Sequence, residues 1–201
     1  LKLSRGLGDV YKRQAEESVN YPMSFAQKRL WMLSQLSEDN NRSFNMSGYR
    51  ELGNGVNEAA FIQAFEEIVK RHESLRTVFD PNGGDPRQRI VPFEACGFRV
   101  EQFDYSGQKM GSPKVLRLME SMRRELFDLA KGPLIRAGLI KLEEDNYVFY
   151  YCMHHINSDG WSVDVMLKEL MQNYSILQSG NELQEPPLRI QYKDYSVWQN
   201  E

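Results

Sequence analysis

Seven consecutive residues in the second half of the chain, His154-His155-Ile156-Asn157-Ser158-Asp159-Gly160, gather two imidazoles and a carboxylate at close spacing. An unperturbed imidazole, with a pKa of about 6.5, is mostly neutral at pH 7 and able to take a proton from a reacting amine. The stretch before it, Tyr147-Val148-Phe149-Tyr150-Tyr151-Cys152-Met153, is a near-continuous apolar run and predicts a strand buried on both faces. The stretch after it opens a helix. A strand-to-helix joint can hold a side chain rigidly and still leave it open to a substrate. Successive strand side chains point to opposite faces, so one histidine is expected to reach a cavity and the other to pack inward. Asp159 is expected to fold back and anchor the loop through its charge, and Gly160 to adopt a turn conformation that a Cβ would resist. Residue types alone leave three readings open: a histidine packed at a strand end, a metal site, or a group that handles protons. With three histidines in the whole chain, a zinc set of three or four well-placed ligands is hard to assemble.

The elements that must position this joint can be read on either side of it. Ser24-Phe25-Ala26-Gln27 fits a capping box, and Ala26, Leu30 and Leu33 recur at helical spacing in a helix running to about Leu36. Asn57 is a candidate N-cap for a helix carrying Phe61, Ala64, Phe65, Ile68 and His72 on one face. Leu75-Arg76-Thr77-Val78-Phe79 is β-prone and stops at the turn chemistry of Asp80-Pro81-Asn82-Gly83-Gly84. That glycine pair is no phosphate loop, because no GK[ST] follows it. Ser112-Pro113 predicts a helix start, with Val115, Leu118, Met119, Met122 and Leu126 as its apolar stripe. Leu134 to Leu142 alternates as a half-buried strand should, and with the apolar run after Glu143-Glu144-Asp145-Asn146 it reads as a hairpin. Val163, Met166, Leu167, Leu170, Tyr174 and Leu177 mark the helix after the joint, which stops at Gly180. Leu188, Tyr192, Tyr195 and Trp198 form a last amphipathic stretch beyond Pro186-Pro187. The class is α/β with a partly antiparallel sheet.

Charge and composition narrow the partners. Lys plus Arg total 25 against 28 Asp plus Glu, a net charge of -3, which argues against a nucleic-acid backbone binder. No apolar run approaches the roughly 18 residues of a membrane span. Cys96 and Cys152 stand 56 apart with no CxxC or Cys/His cluster, so a reducing, cytoplasmic setting is expected rather than a disulfide framework. A length of 201 residues fits one domain. Residues 1–14 carry a local charge of +3, which leaves -6 on the remaining 187. Within that leader GLGDVYKRQ resembles adapter-derived read-through, so residues 1–14 are expected to be a non-native or disordered leader and are set aside from the fold.

The segment His154 to Gly160 resembles the HHxxxDG motif of condensation domains in nonribosomal peptide synthetases, a motif shared with a wider superfamily related to chloramphenicol acetyltransferase. Three further stretches narrow the likeness. Ser24-Phe25-Ala26-Gln27-Lys28-Arg29-Leu30-Trp31-Met32-Leu33 is similar to the family's SxAQxRLWxL, and Arg71-His72-Glu73-Ser74-Leu75-Arg76-Thr77-Val78-Phe79 to its RHExLRTxF. Tyr192-Lys193-Asp194-Tyr195-Ser196-Val197-Trp198-Gln199 resembles YxDYAxWQ, with Ser196 in place of Ala. The four motifs stand in order over residues 24–199.

The resemblance implies a chloramphenicol-acetyltransferase-like lobe, with a mixed, largely antiparallel sheet flanked by helices. In the family two such lobes form a V around the active site. Residues 15–201 are therefore expected to be the N-terminal lobe, with the C-terminal lobe missing, an apolar face left exposed and no activity alone. The implied reaction is amide formation: the amine of an acceptor aminoacyl thioester attacks a donor acyl or peptidyl thioester. By analogy His155 is the catalytic or amine-positioning histidine, with His154, Asp159 and Gly160 beside it. The Gly160 amide is placed to help hold a developing oxyanion. Asp159 is expected to pair with Arg71 or Arg76, which would fasten the loop to the strand at residues 75–79. No metal or bound cofactor is implied. Substrates would arrive on the 4'-phosphopantetheine arms of upstream and downstream peptidyl carrier proteins, next to an adenylation domain of the same synthetase. Neither nucleic acid nor membrane is an expected partner. A heterocyclization domain would show Asp in the histidine set, which is not seen here. An epimerization domain usually lacks the Asp159-Gly160-Trp161-Ser162 continuation. That domain and a non-catalytic partner-recruiting domain are the alternatives.

Overall fold

The computed structural model describes residues 14–81, 85–184 and 186–201, and the apolar run ahead of His154 forms its spine. Strands β1 (Tyr21–Pro22), β2 (Asn45–Asn54), β3 (Thr77–Asp80), β4 (Arg87–Ile90), β5 (Val100–Asp104), β6 (Ile135–Lys141) and β7 (Asn146–His154) alternate with helices. The helices are α1 (Phe25–Ser34), α2 (Glu38–Ser43), α3 (Glu58–Arg71), α4 (Pro113–Arg124), α5 (Gly160–Gln178) and α6 (Tyr192–Asn200). The described residues make a four-stranded sheet, order β2-β7-β6-β5, and a three-stranded sheet, order β1-β4-β3. Pairing is antiparallel throughout, except that β5 runs parallel to β6. The expected α/β class, with a mixed and largely antiparallel sheet flanked by helices, is what the chain forms.

The two-residue period of a strand divides the core. Tyr147, Phe149, Tyr151 and Met153 pack on one face against Phe61 and Phe65 of α3 and Met166, Leu170 and Tyr174 of α5. Val148, Tyr150 and Cys152 turn to the other face, against Met119 and Met122 of α4 and Phe79 and Phe127. Phe149 meets Phe61 and Phe65 edge-on, with ring centroids 5.2 and 5.1 Å apart. Cover on both faces is why β7 carries no polar alternation.

Several expectations need correction. β6 is not half-buried: Ile135, Ala137, Leu139 and Ile140 are all buried, because the strand lies between β5 and β7. Its polar residue Arg136 turns inward to bind the end of α4, so the alternation in sequence does not mark a solvent face. Leu75 and Arg76 belong to a 3-10 turn, Glu73–Arg76, and the strand begins at Thr77. The turn expected at residues 80–84 lies partly outside the described residues, as do residues 1–13 of the expected leader. Gln14 is held, its Nε2 donating to the Arg189 carbonyl at 2.8 Å.

The caps follow local chemistry. Ser24 and Gln27 form the full capping box of α1, and Asn57 accepts from the Ala60 amide at the start of α3. α1 buries Gln27 and Ser34 rather than Ala26. Ser112 precedes α4 in extended conformation, but its hydroxyl makes no cap bond. Strands β1, β2, β4 and β5 and helix α2 have no counterpart in the sequence reading. β2 pairs along the whole of β7 although it holds Gly48 and Gly53. A Cβ at Gly48 would sit 2.3 Å from the Tyr151 hydroxyl, so this glycine admits the tyrosine ring.

Candidate active site

The two histidines at the end of β7 divide as strand geometry requires. His154 is fully buried, its ring set edge-on to Phe44 at 5.9 Å and to Phe127 at 6.2 Å between centroids. The Ile156 amide donates to its Nδ1 at 3.2 Å, which assigns the ring proton to Nε2. Burial first, and then the neighbouring His155, push the His154 imidazole down to about 4, with the Asn41 backbone opposing weakly. His154 is thus neutral at pH 7 and out of reach of a substrate. The structure therefore places His154 in the core beside the joint rather than at its surface. His155 points the other way and is exposed, while its amide donates to the Phe44 carbonyl at 2.8 Å and extends the β2–β7 ladder.

Asp159 caps α5. Its Oδ1 accepts from the Ser162 amide at 2.8 Å and from the Ser162 hydroxyl. Those bonds hold the exposed Asp159 carboxyl below the usual range against partial burial, and His155 adds to the effect. The arginine partner expected for it is not there: among the described residues no ion pair joins Asp159 to Arg71 or Arg76. Arg71 Nη1 lies 2.6 Å from Glu169 Oε1 instead. Arg76 donates to the carbonyls of Val91 at 2.9 Å and Lys70 at 3.3 Å. The loop is still fastened to β3, by a neutral bond from Asn157 Nδ2 to the Thr77 carbonyl at 2.9 Å. A neutral amide at a motif position without chemistry of its own gives no sequence signal for such an anchor.

Gly160 is the first residue of α5 and is exposed. Its φ is not in the left-handed region, and a Cβ there would meet nothing within 4 Å. The turn conformation expected for it is therefore not what selects glycine. Its own amide is one of the first-turn N–H groups that a helix leaves without an internal partner. Cavities of about 450 and 790 Å³ lie elsewhere, and neither is lined by His155, Asp159 or Gly160.

Two further polar residues are held near the joint and carry no assignment from the sequence. Arg136 donates to the carbonyls of Met122, Glu125 and Leu126 at 3.2, 3.0 and 2.6 Å. Its guanidinium also lies 3.7 Å over the centre of the Phe127 ring that faces His154. A cation within an apolar strand was the available signal. Glu169, buried on α5, binds Arg71 and also His72 Nε2, the latter at 2.8 Å. Burial raises the Glu169 carboxyl, but bonds from His72 and Arg71 outweigh it and hold the group below the usual range. Burial pushes the Cys152 thiol up to about 11, so it stays protonated and unreactive.

Comparison with known proteins fits this arrangement. The family model described as "Condensation domain" matches residues 17–201. Malpinin synthetase of Mortierella alpina is 39% identical over 178 residues, covering 89% of this chain and 2% of that synthetase. The X-domain in a complex with OxyB from teicoplanin biosynthesis superposes with a TM-score of 0.83 at 25% identity, over 98% of this chain and 41% of that one. The starter condensation domain of the rhizomide synthetase RzmA superposes with a TM-score of 0.75 at 25% identity, over 84% of this chain and 40% of that one. The chain thus spans well under half the length of each of these proteins. With its motif joint, its sheet and its helices all in the family's pattern, the chain belongs to the condensation domain family of nonribosomal peptide synthetases.

Proposed function

We propose that this chain serves amide-bond formation between two carrier-bound substrates, with His155 as the residue that meets the acceptor amine. The observation that supports this best is the division of the histidine pair. One imidazole is locked neutral in the core, and its neighbour stands exposed at the mouth of α5. In the proposed reaction the acceptor nitrogen attacks the donor thioester carbonyl and a C–N bond forms. The resulting oxyanion is held by the Gly160 amide, a first-turn N–H at the start of α5. Collapse breaks the C–S bond, releases the donor arm as a thiol, and transfers the amine's proton to that sulfur by way of His155 or water. Aminolysis of a thioester runs downhill, so alignment of the two partners is the larger contribution; effective molarities of about 10⁵–10⁸ M are available from it. His155 contributes about 10²–10⁴-fold more if it takes the proton, and less if it only orients the amine.

On this reading residues 15–201 are one lobe of a two-lobed domain, and its substrates arrive on phosphopantetheine arms of upstream and downstream carrier proteins beside an adenylation domain. His155 on an open surface rather than in a cavity supports that reading, as do the exposed Phe25, Met32 and Trp161. The described residues form no helix long and apolar enough to cross a membrane, and a cytoplasmic setting is part of the proposal. The test supplies carrier-bound donor and acceptor to a complete condensation domain containing this chain and identifies the product by mass. Amide product is expected. A donor inverted at its α-carbon without amide would assign epimerization instead, and carrier binding without any product would assign recruitment.

A further inference from the structure

Residues 71–77 grip the His155 joint at two separate points. At the first, the Asn157 side chain donates to the Thr77 carbonyl at 2.9 Å. At the second, Glu169, 7% exposed, receives Arg71 Nη1 at 2.6 Å on one carboxylate oxygen and meets His72 Nε2 at 2.8 Å on the other. The segment doing the gripping is itself braced. Thr77 Oγ1 donates to the Glu73 carbonyl at 2.7 Å, and Gln191 links the Arg71 carbonyl at 2.9 Å to the Glu73 amide at 3.2 Å. The Glu73 carboxylate pairs with Lys193 of α6 at 2.9 Å. Asp159 and Gly160 lie between the two grips, and His155 stands just outside the first.

Why α5 should need a polar grip follows from its packing. It meets the core through Met166, Leu170 and Tyr174, and apolar contact is non-directional, so it fixes the register of a helix along its own axis weakly. Two charge-assisted bonds to one carboxylate fix it well. Glu169 stands about 14 Å along the helix from Gly160, by the 1.5 Å rise per residue, and a continuous helix carries that register to its first amide. Glu169 is buried and paired, so it does not meet substrate. We propose that Glu169 and Asn157 are positioning residues for amide formation, which set the Gly160 amide and the His155 ring relative to each other. The inference rests on the function proposed above.

The test uses a complete condensation domain containing this chain, with turnover measured at varied concentrations of both loaded carriers. Glu169→Ala is expected to lower kcat by about 10- to 100-fold, the scale of a 1 Å misplacement of reacting groups. KM for either carrier should stay within about twofold, because the residue touches neither. Glu169→Gln keeps an acceptor for Arg71 and offers an amide N–H to His72, which accepts it at Nε2 once its own proton sits on Nδ1, and should restore most of the lost rate. Asn157→Ala should lower kcat in the same manner, and decides the matter if Glu169→Ala does not fold. In the 201-residue chain, amide exchange over residues 155–163 should quicken in both alanine variants. A folded Glu169→Ala protein with unchanged kcat, a loss confined to KM, a Gln variant as damaged as Ala, or unchanged exchange at residues 155–163 would each overturn the proposal. Failure of both alanine variants to fold would do so too, by making the grips supports of the whole fold. If His155→Ala still forms amide in the same assay, it is the reading of function that fails, and exchange alone then decides the positioning role.

Discussion

His154 makes the stability of this chain depend on pH in a way that can be worked from its surroundings. The ring is fully buried between Phe44 and Phe127, and burial pushes it down to about 4. In the unfolded chain the same imidazole takes its ordinary value of about 6.5. Between those two values the unfolded state binds more protons than the folded one, so stability is complete above about pH 6.5 and declines as pH falls toward 4. The loss is about 2 kcal/mol at pH 5 and about 3 kcal/mol at pH 4, where the folded ring begins to take its proton. His154→Gln keeps an acceptor for the Ile156 amide but cannot titrate. The assay is urea unfolding of the 201-residue chain and of this variant at several pH values, followed by tryptophan fluorescence. The two proteins differ at residue 154 alone, so the difference between their pH profiles isolates it. Wild type is expected to lose about 2 kcal/mol more than the variant between pH 7.5 and pH 5. Parallel pH profiles, or an NMR titration of the folded chain that places His154 near 6.5, would refute the reasoning.

Other outcomes are expected from single changes. Arg136→Leu removes donors to three carbonyls at the end of α4 and the cation over Phe127, and should cost about 3 kcal/mol by urea unfolding; a loss below about 0.5 kcal/mol would contradict it. Gly48→Ala forces a Cβ to within 2.3 Å of the Tyr151 hydroxyl and should cost about 1–3 kcal/mol in the same measurement. Gly160→Ala meets nothing within 4 Å and lies at a helix start, so its melting temperature should hold or rise slightly while amide formation falls. A drop in its stability would show that the glycine serves the fold instead.

What the sequence disclosed and what it hid have physical reasons. The joint at residues 154–160 was legible because period-two geometry forces neighbouring histidines apart, and the structure puts one inside and one outside. The caps at Ser24 and Asn57 were legible because a cap is local chemistry. In sequence β6 resembles a half-buried strand because Arg136 has the character of a solvent-facing residue, whereas it binds the carbonyls at the end of α4. β2 was missed because its glycines lower strand propensity, and the reason for Gly48 is a tyrosine 103 residues away in sequence. A carboxylate such as Asp159 suggests an ion pair, yet the helix start beside it offers Ser162 at shorter range. Arg71 instead reaches α5 through Glu169, a partner 98 residues off that no local pattern could name.

The central claim is that the two adjacent histidines have different work, one meeting the acceptor amine and the other holding the joint. Single-turnover amide formation in a complete condensation domain containing this chain tests it most directly, with His155→Ala and His154→Gln compared at equal folded fraction. His155→Ala should lose at least about 10²-fold in rate with its melting unchanged, and His154→Gln should keep most of its rate near pH 7.5. Wild-type turnover by His155→Ala, or an equal collapse of rate in a well-folded His154→Gln protein, would contradict it.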